Sequence, residues 1–325
     1  MLSPMPPRKF LSHCINLVLL LVLGGTVNAQ SSSSLQGYVT DLNGAVVLNA
    51  SITATNVETS TERKAQTGAN GLYQFAALAV GTYQVQVSAT GFRTEVAENV
   101  RVTVARTITR NFQLTLGQVS ERVTVGAEID AIDRASVSFG QSFSEAAVQN
   151  TPLNGRHFVD LGTLIPGSVT PPQNGVLTTP TRGQGPFSFN SAGAREDTVN
   201  FQINGINLND LAFNVITVAP SITTIREFKV DNSTITADIG RSSGSVVNIA
   251  TRSGTNEFHG ELFHYLRNDA LDARNFFNFT SPNPPPFKRN QFGGALGGPI
   301  VRGRLFFYFA YEGVRQRQGL DLNSL

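Results

Sequence analysis

The sequence predicts a mainly β protein in three successive parts. These are an N-terminal β-sandwich, an α+β middle, and the first strands of a truncated transmembrane β-barrel. Three observations carry the prediction. Short runs alternate apolar and polar residues at period two between Asn-Gly and Gly turns, as strands with one wet face do. Prolines and glycines then break the middle into short elements of mixed period. Last, ten of the 22 Phe and three of the six Tyr fall within residues 257–325.

Residues 1–29 read as a secretory leader. Arg8 and Lys9 precede an apolar run from Leu17 to Leu23, and Val27-Asn28-Ala29 supplies small residues for cleavage. The run is short for a ~30 Å hydrocarbon core, although an N-terminal anchor helix has the same appearance. Cys14 does not fit a lipidation site, because the apolar run follows it and the bulky His13 precedes it. Removing the leader takes away Arg8, Lys9 and Cys14, leaving as many acidic as basic residues and no cysteine.

Residues 30–117 form the expected sandwich. Ser51–Thr55, Leu72–Phe75, Tyr83–Val87 and Val100–Val104 alternate, with Asn43-Gly44, Asn70-Gly71, Gly81 and Gly91 as turns. Such closely spaced strands indicate antiparallel pairs stacked as a sandwich, and about 80 residues suffice for one modest core. From 118 to 256 the pattern changes. Ser144–Val148 predicts a capped helix stopping before Pro152, and Arg156–Ile165 sets Phe158, Leu161 and Ile165 on one helical face. Residues 166–190 predict a long loop, 199–208 predict a strand that turns at Asn204-Gly205 into Ile206–Leu208, and 227–231 and 245–251 predict further strands. In 257–325, Phe258, Leu262 and Leu266 share one face, opposite Glu257, His259, Glu261 and Arg267. Phe292, Leu296 and Ile300 share a face in the next run, as do Leu305, Phe307, Phe309 and Tyr311 in the third. One-sided apolar strands with aromatic ends, a long loop (269–288) and then a short turn (299–303) match an outer-membrane barrel entered from below. A soluble sandwich would also alternate.

Composition narrows the function. The 325 residues suggest about two domains. With 25 Lys plus Arg against 23 Asp plus Glu, scattered along the chain, no nucleic-acid partner is expected. A charged fraction of 15% and a hydrophobic fraction of 40% suit neither disorder nor a helical membrane bundle. One cysteine leaves no disulfide framework and no CxxC zinc site. No P-loop or dinucleotide fingerprint occurs, so no cofactor is expected. Gly240–Gly244 spells G-x-S-x-G, but the strand-like Ser245–Ile249 follows where a nucleophile elbow needs a helix, so a glycine turn is expected. His157, His259 and His264 show no metal-binding spacing. No catalytic or metal residue is therefore assigned.

The ordered segments resemble one family, the TonB-dependent outer-membrane receptors with an N-terminal carboxypeptidase-regulatory-like domain and an Oar-like barrel. The resemblance rests on GYVTDLNGAVVLNASITATN, TGANGLYQFAALAVGTYQVQVSATGF and NFQLTLG in the first part. In the middle it rests on LNGRHFVDLGTLIPG, INGINLND, IREFKV and GRSSGSVVNIATRSGTNEFHG. In the last part it rests on FHYLRNDALDARNFFN, RNQFGGALGGPI and FFYFAYEGVRQ. It implies a carbohydrate-binding-like sandwich without catalytic function, a plug at 118–256, and a barrel of ~22 strands of which this sequence holds about three. It also implies energised uptake of an unidentified ligand, a carbohydrate or a siderophore among the classes. The expected location is the bacterial outer membrane, with the sandwich in the periplasm. The chain is then the N-terminal part of a receptor and transport-incompetent by itself. The alternative is an exported, non-catalytic carbohydrate- or peptide-binding module.

The implied partners are the TonB C-terminal domain, outer-membrane lipid, the barrel-assembly machinery and the extracellular ligand. Glu121, Arg122, Val123, Thr124 and Val125 lie where the family keeps its TonB box. An extended, β-branched, proline-free pentapeptide can add to a partner's sheet, but it can equally be a last strand of the sandwich. Arg195, Glu196, Asp197, Asn207, Asn209 and Asp210 sit in plug loops that would face ligand or simply be solvated.

Overall fold

The computed structural model describes residues 33–117, 122–126, 139–153, 155–169, 189–191, 193–194, 198–210, 216–233, 243–273 and 284–319. The leader, Glu121, Arg195–Asp197, Ser242 of the G-x-S-x-G string and much of the 166–190 loop lie outside them.

The sandwich has two sheets. One holds β1 (Ser33–Asp41), β4 (Leu72–Leu78), β7 (Thr107–Thr109) and β8 (Phe112–Leu114). The other runs β3 (Glu62–Gln66), β2 (Ser51–Asn56), β5 (Gly81–Ser88), β6 (Thr94–Val102), β9 (Arg122–Gly126). Alternate residues point inward: Ile52 and Ala54 from β2 meet Val85 and Val87 from β5, with Leu35, Tyr73 and Phe112 from the facing sheet. Tyr73 is fully buried, and its hydroxyl donates to the Arg110 carbonyl at 2.7 Å, so its polar end is satisfied. At the first turn the Asp41 carboxylate accepts from the backbone N–H of both Asn43 and Ala45, while Gly44 takes φ of 81°.

The expected antiparallel pairing holds for β1·β4, β2·β3, β2·β5 and β5·β6, but β7, β8 and β9 pair in parallel. The chain leaves β6 in one sheet, crosses at residues 103–106 and enters the other beside β1 in the same direction. Period-two alternation says nothing about such a crossover. The expected strand at 100–104 accordingly ends at Val102.

The middle is organised on a five-stranded sheet in the order β10 (Phe139–Phe143), β15 (Ile225–Ser233), β16 (Val246–Thr251), β13 (Asn200–Ile203), β14 (Ile206–Asn207). A small hairpin, β11 (Ser168–Val169) with β12 (Asn190–Ser191), lies apart. Helix α1 (Glu145–Asn150) begins where the Ser144 hydroxyl accepts from the Ala147 N–H, and it packs on β15. The predicted helix over 156–165 is a 3-10 stretch, Phe158–Leu164, which nevertheless buries Phe158 and Leu161, with Ile165 just beyond. Phe158 sits edge-on to Phe201 and Phe228 in the core between sheet and helices.

The last part is one antiparallel sheet, β17 (His259–Asn268), β18 (Phe287–Val301), β19 (Leu305–Gln318), joined by the long 269–286 connection and a short turn at 302–304. Directly paired residues share a face. Leu262, Gly294 and Tyr311 therefore lie on one side, and Phe263, Gly293 and Glu312 on the other.

Candidate functional site

The inner face of the β17–β19 sheet is fastened to the middle domain by polar contacts. Tyr308 donates to the Thr223 carbonyl at 2.7 Å, and Gln291 donates to the Gly155 carbonyl at 3.1 Å. Glu312 accepts from Ser221 and from Gln291 through very short contacts. Arg156 places its guanidinium 4.6 Å from the Phe263 ring and 4.9 Å from Tyr265, and donates to the Tyr265 hydroxyl at 3.0 Å. Arg156 has φ of 57° directly after Gly155 at 87°, so a two-residue left-handed turn aims its side chain at the wall. Gln291 and Ala295 are buried by this docking. Beside it lies an open cavity of about 400 Å³ lined by Leu153, Arg156, Tyr265, Arg267 and Arg289.

The outer face is the reverse. Leu262 is 92% exposed and Phe309 66%, and Phe258, Leu266, Leu296, Ile300 and Tyr311 are also exposed. One sheet thus carries a polar, plug-bound face and a bare apolar one. That combination suits a wall with lipid outside and protein inside.

A second seam joins the sandwich to the plug. Phe228 and Val230 of β15 enter the core, which turns Glu227, Lys229 and Asp231 to the other face, and all three are buried there. Glu227 accepts from the Val104 N–H at 2.8 Å, and Lys229 donates to the Ala105 carbonyl at 2.9 Å while pairing with Asp231 at 2.9 Å. Arg226 pairs with Glu58 at 2.6 Å. Burial pushes the Glu227 carboxyl above its ordinary value, opposed by the Val104 N–H and then by nearby arginines. In the plug, burial lowers the His157 pKa and the Arg289 charge lowers it further. Burial also raises Asp160 to about 6.

The predicted site residues separate in space. Arg122, Val123, Thr124 and Val125 lie in β9, paired in parallel with Thr94–Ala97 of β6 at the edge of the sandwich. Asn207, Asn209 and Asp210 follow β13. The Asn209 amide closes this turn by accepting from the Phe201 N–H at 2.6 Å and donating to the Val199 carbonyl at 2.8 Å. Its side chain is therefore engaged by its own backbone. Among the described residues no three His, Cys, Asp or Glu side chains gather as a metal site, and no helix is long and apolar enough to cross a membrane. The latter leaves strands out of account. The docking residues Arg156, Ser221, Gln291 and Glu312 were not anticipated from the sequence. For Gln291 and Glu312 the signal was present as polar residues on the second face of apolar strands.

Comparison with known proteins agrees with this geometry. Residues 34–115 match the carboxypeptidase regulatory-like domain, and residues 250–325 match an outer membrane beta barrel domain. The TonB-dependent transporter Oar of Myxococcus xanthus is 25% identical over 320 residues, covering 94% of this chain. This chain is similar along nearly all of its length to an Oar-type TonB-dependent transporter. It spans 29% of the length of that relative. Among solved structures, the siderophore receptor PirA from Acinetobacter baumannii aligns at 18% identity and a TM-score of 0.39. That alignment covers 55% of this chain and 24% of PirA. The unliganded ferric citrate transporter FecA aligns at 16% identity and a TM-score of 0.42, over 56% of this chain and 26% of FecA. The Myxococcus xanthus relative is a transporter by name. Strands β17–β19 fall within the residues that match the outer membrane beta barrel domain.

Proposed function

We propose that this chain is the N-terminal part of a receptor for energised uptake across the outer membrane. Its sandwich and β9 would lie in the periplasm, and the 269–286 connection would face outward. The supporting observation is the two-faced sheet, with the plug held on one side by Arg156, Ser221 and Thr223 and apolar side chains bare on the other. Ligand would bind from outside, and TonB would pull from below to displace the plug. Transport is proposed only for a closed barrel, since three strands leave open edges that lipid does not tolerate. The ligand class is to be found by screening carbohydrates and siderophores on the complete receptor.

Residues 121–125 are the proposed TonB contact. β9 ends its sheet, so one of its edges has no strand among the described residues and can accept a partner strand. The test is binding of the TonB C-terminal domain to the receptor and to its Val123→Pro variant. Binding that the proline abolishes supports the coupling strand; equal binding by both removes it. The observation favouring a plain binding module is that β9 also serves as a sandwich strand. A receptor that binds a glycan through the sandwich yet never engages TonB would establish that reading.

A further inference from the structure

The outer face of the sheet is not apolar throughout. Lys288 is directly opposite Arg317, and Asn290 is directly opposite Arg315. Period-two geometry puts all four on the face that carries Phe292, Leu296, Phe309 and Tyr311. Arg289 and Gln316 confirm the alternation, bonding to each other at 2.8 Å on the opposite face. Three cations, Lys288, Arg315 and Arg317, are thus adjacent and exposed on the lipid-facing surface. Cations directly opposite each other destabilise a sheet unless something neutralises them. Among the described residues none of the three has an ion pair. Of the carboxylates on and beside these strands, Asp272 pairs with Arg267, Glu312 is turned to the plug, Asp269 opens the long connection, and Asp321 lies outside the described residues.

Their height is informative. Arg315 lies ten residues along β19 from Leu305, beside the short turn. At ~3.4 Å per residue and a tilt of about 40° this is roughly 26 Å, the height of a barrel's ~25 Å apolar band. The cluster therefore sits at the upper boundary of the lipid, at the end bearing the long connection.

We propose that Lys288, Arg315 and Arg317 form a binding site for the phosphates of an outer-leaflet glycolipid of the lipid A type. The acyl chains would run down over Leu266, Phe292 and Tyr311. Charge complementarity and the apolar surface directly below the cations select an anionic amphiphile. This inference rests on the outward orientation given above.

The test measures retention of bisphosphorylated lipid A, and of lipid A stripped of both phosphates, by the complete detergent-purified receptor. A Lys288→Gln/Arg315→Gln/Arg317→Gln variant should bind the phosphorylated form roughly a hundredfold more weakly, at about 1 kcal/mol per surface cation. It should keep the wild-type heat-modifiable migration, since all three positions are exposed. Arg317→Lys should retain binding. An Arg302→Gln/Arg304→Gln variant, altered at the opposite end of the same strands, should bind as wild type. Wild-type binding by the triple variant, or equal retention of the stripped lipid, overturns the site while leaving the orientation intact. Loss of binding in the Arg302/Arg304 variant alone overturns the site and the orientation together.

Discussion

The sandwich and the wall strands use the same alternation and bury opposite faces. In β2 and β5 the apolar residues Ile52, Ala54, Val85 and Val87 are fully covered, and the polar residues between them meet solvent. In β17 and β19 the apolar residues Leu262 and Phe309 are bare, while the intervening Phe263 and Glu312 meet the plug. Alternation establishes that a strand has two faces. Which face is inside depends on what the other face is built to touch.

The same substitution on the two kinds of strand is the strongest way to break this contrast. Val85→Arg puts an unpaired charge into a closed core and should cost more than about 4 kcal/mol, unfolding the sandwich. Gln86→Arg, one residue on, should change urea stability by no more than about 0.5 kcal/mol. Leu262→Arg should cost about 2–4 kcal/mol when the complete receptor folds into bilayers. If Leu262→Arg were neutral in bilayers, the wall would not face lipid there.

Docking of the second face gives the next effect. Arg156→Ala removes the stacking on Phe263 and Tyr265 and one hydrogen bond. It should loosen the plug by about 1–2 kcal/mol, read as faster amide exchange over residues 155–165. An unchanged exchange pattern would mean that the seam contributes little to holding the plug.

The smallest effect is electrostatic. Asp160 has its pKa raised from the ordinary 3.8 to about 6 by burial. A raised carboxyl favours the folded state below its unfolded pKa and loses that contribution as pH rises through the folded value. Asp160→Asn should therefore stabilise the plug above pH 6, by at most about 1 kcal/mol given its partial exposure. The gain should disappear below about pH 4, as denaturation of the pair at both pH values would reveal.

Much of this architecture was legible in the residues. The Ser144 cap, the Asn204-Gly205 turn between β13 and β14, and the three wall strands follow from local chemistry and period, because each is decided by neighbours in the chain. The parallel pairings of β7, β8 and β9 were not legible, since they depend on where a crossover delivers the chain. The fate of Glu227, Lys229 and Asp231 was hidden for a related reason. Three charges at period two read as a wet face, yet residues more than a hundred positions earlier, Val104 and Ala105, cover them and satisfy them. At the candidate site, the 122–125 segment reads as an extended strand in both sequence and structure. Asn209, read as part of a loop that would face ligand or simply be solvated, is engaged in closing its own turn.

The central claim is that one face of β17–β19 lies in lipid and the other on the plug. Single cysteines at Leu262, Leu296 and Phe309 and at Glu261, Ala295 and Tyr308, introduced one at a time with any native cysteine replaced, can carry spin labels. In the complete receptor reconstituted into bilayers, the first three should be open to oxygen and closed to a water-soluble nickel relaxant, and the second three closed to oxygen. Equal oxygen access on both faces, or nickel access at Leu262 and Phe309, would contradict the account.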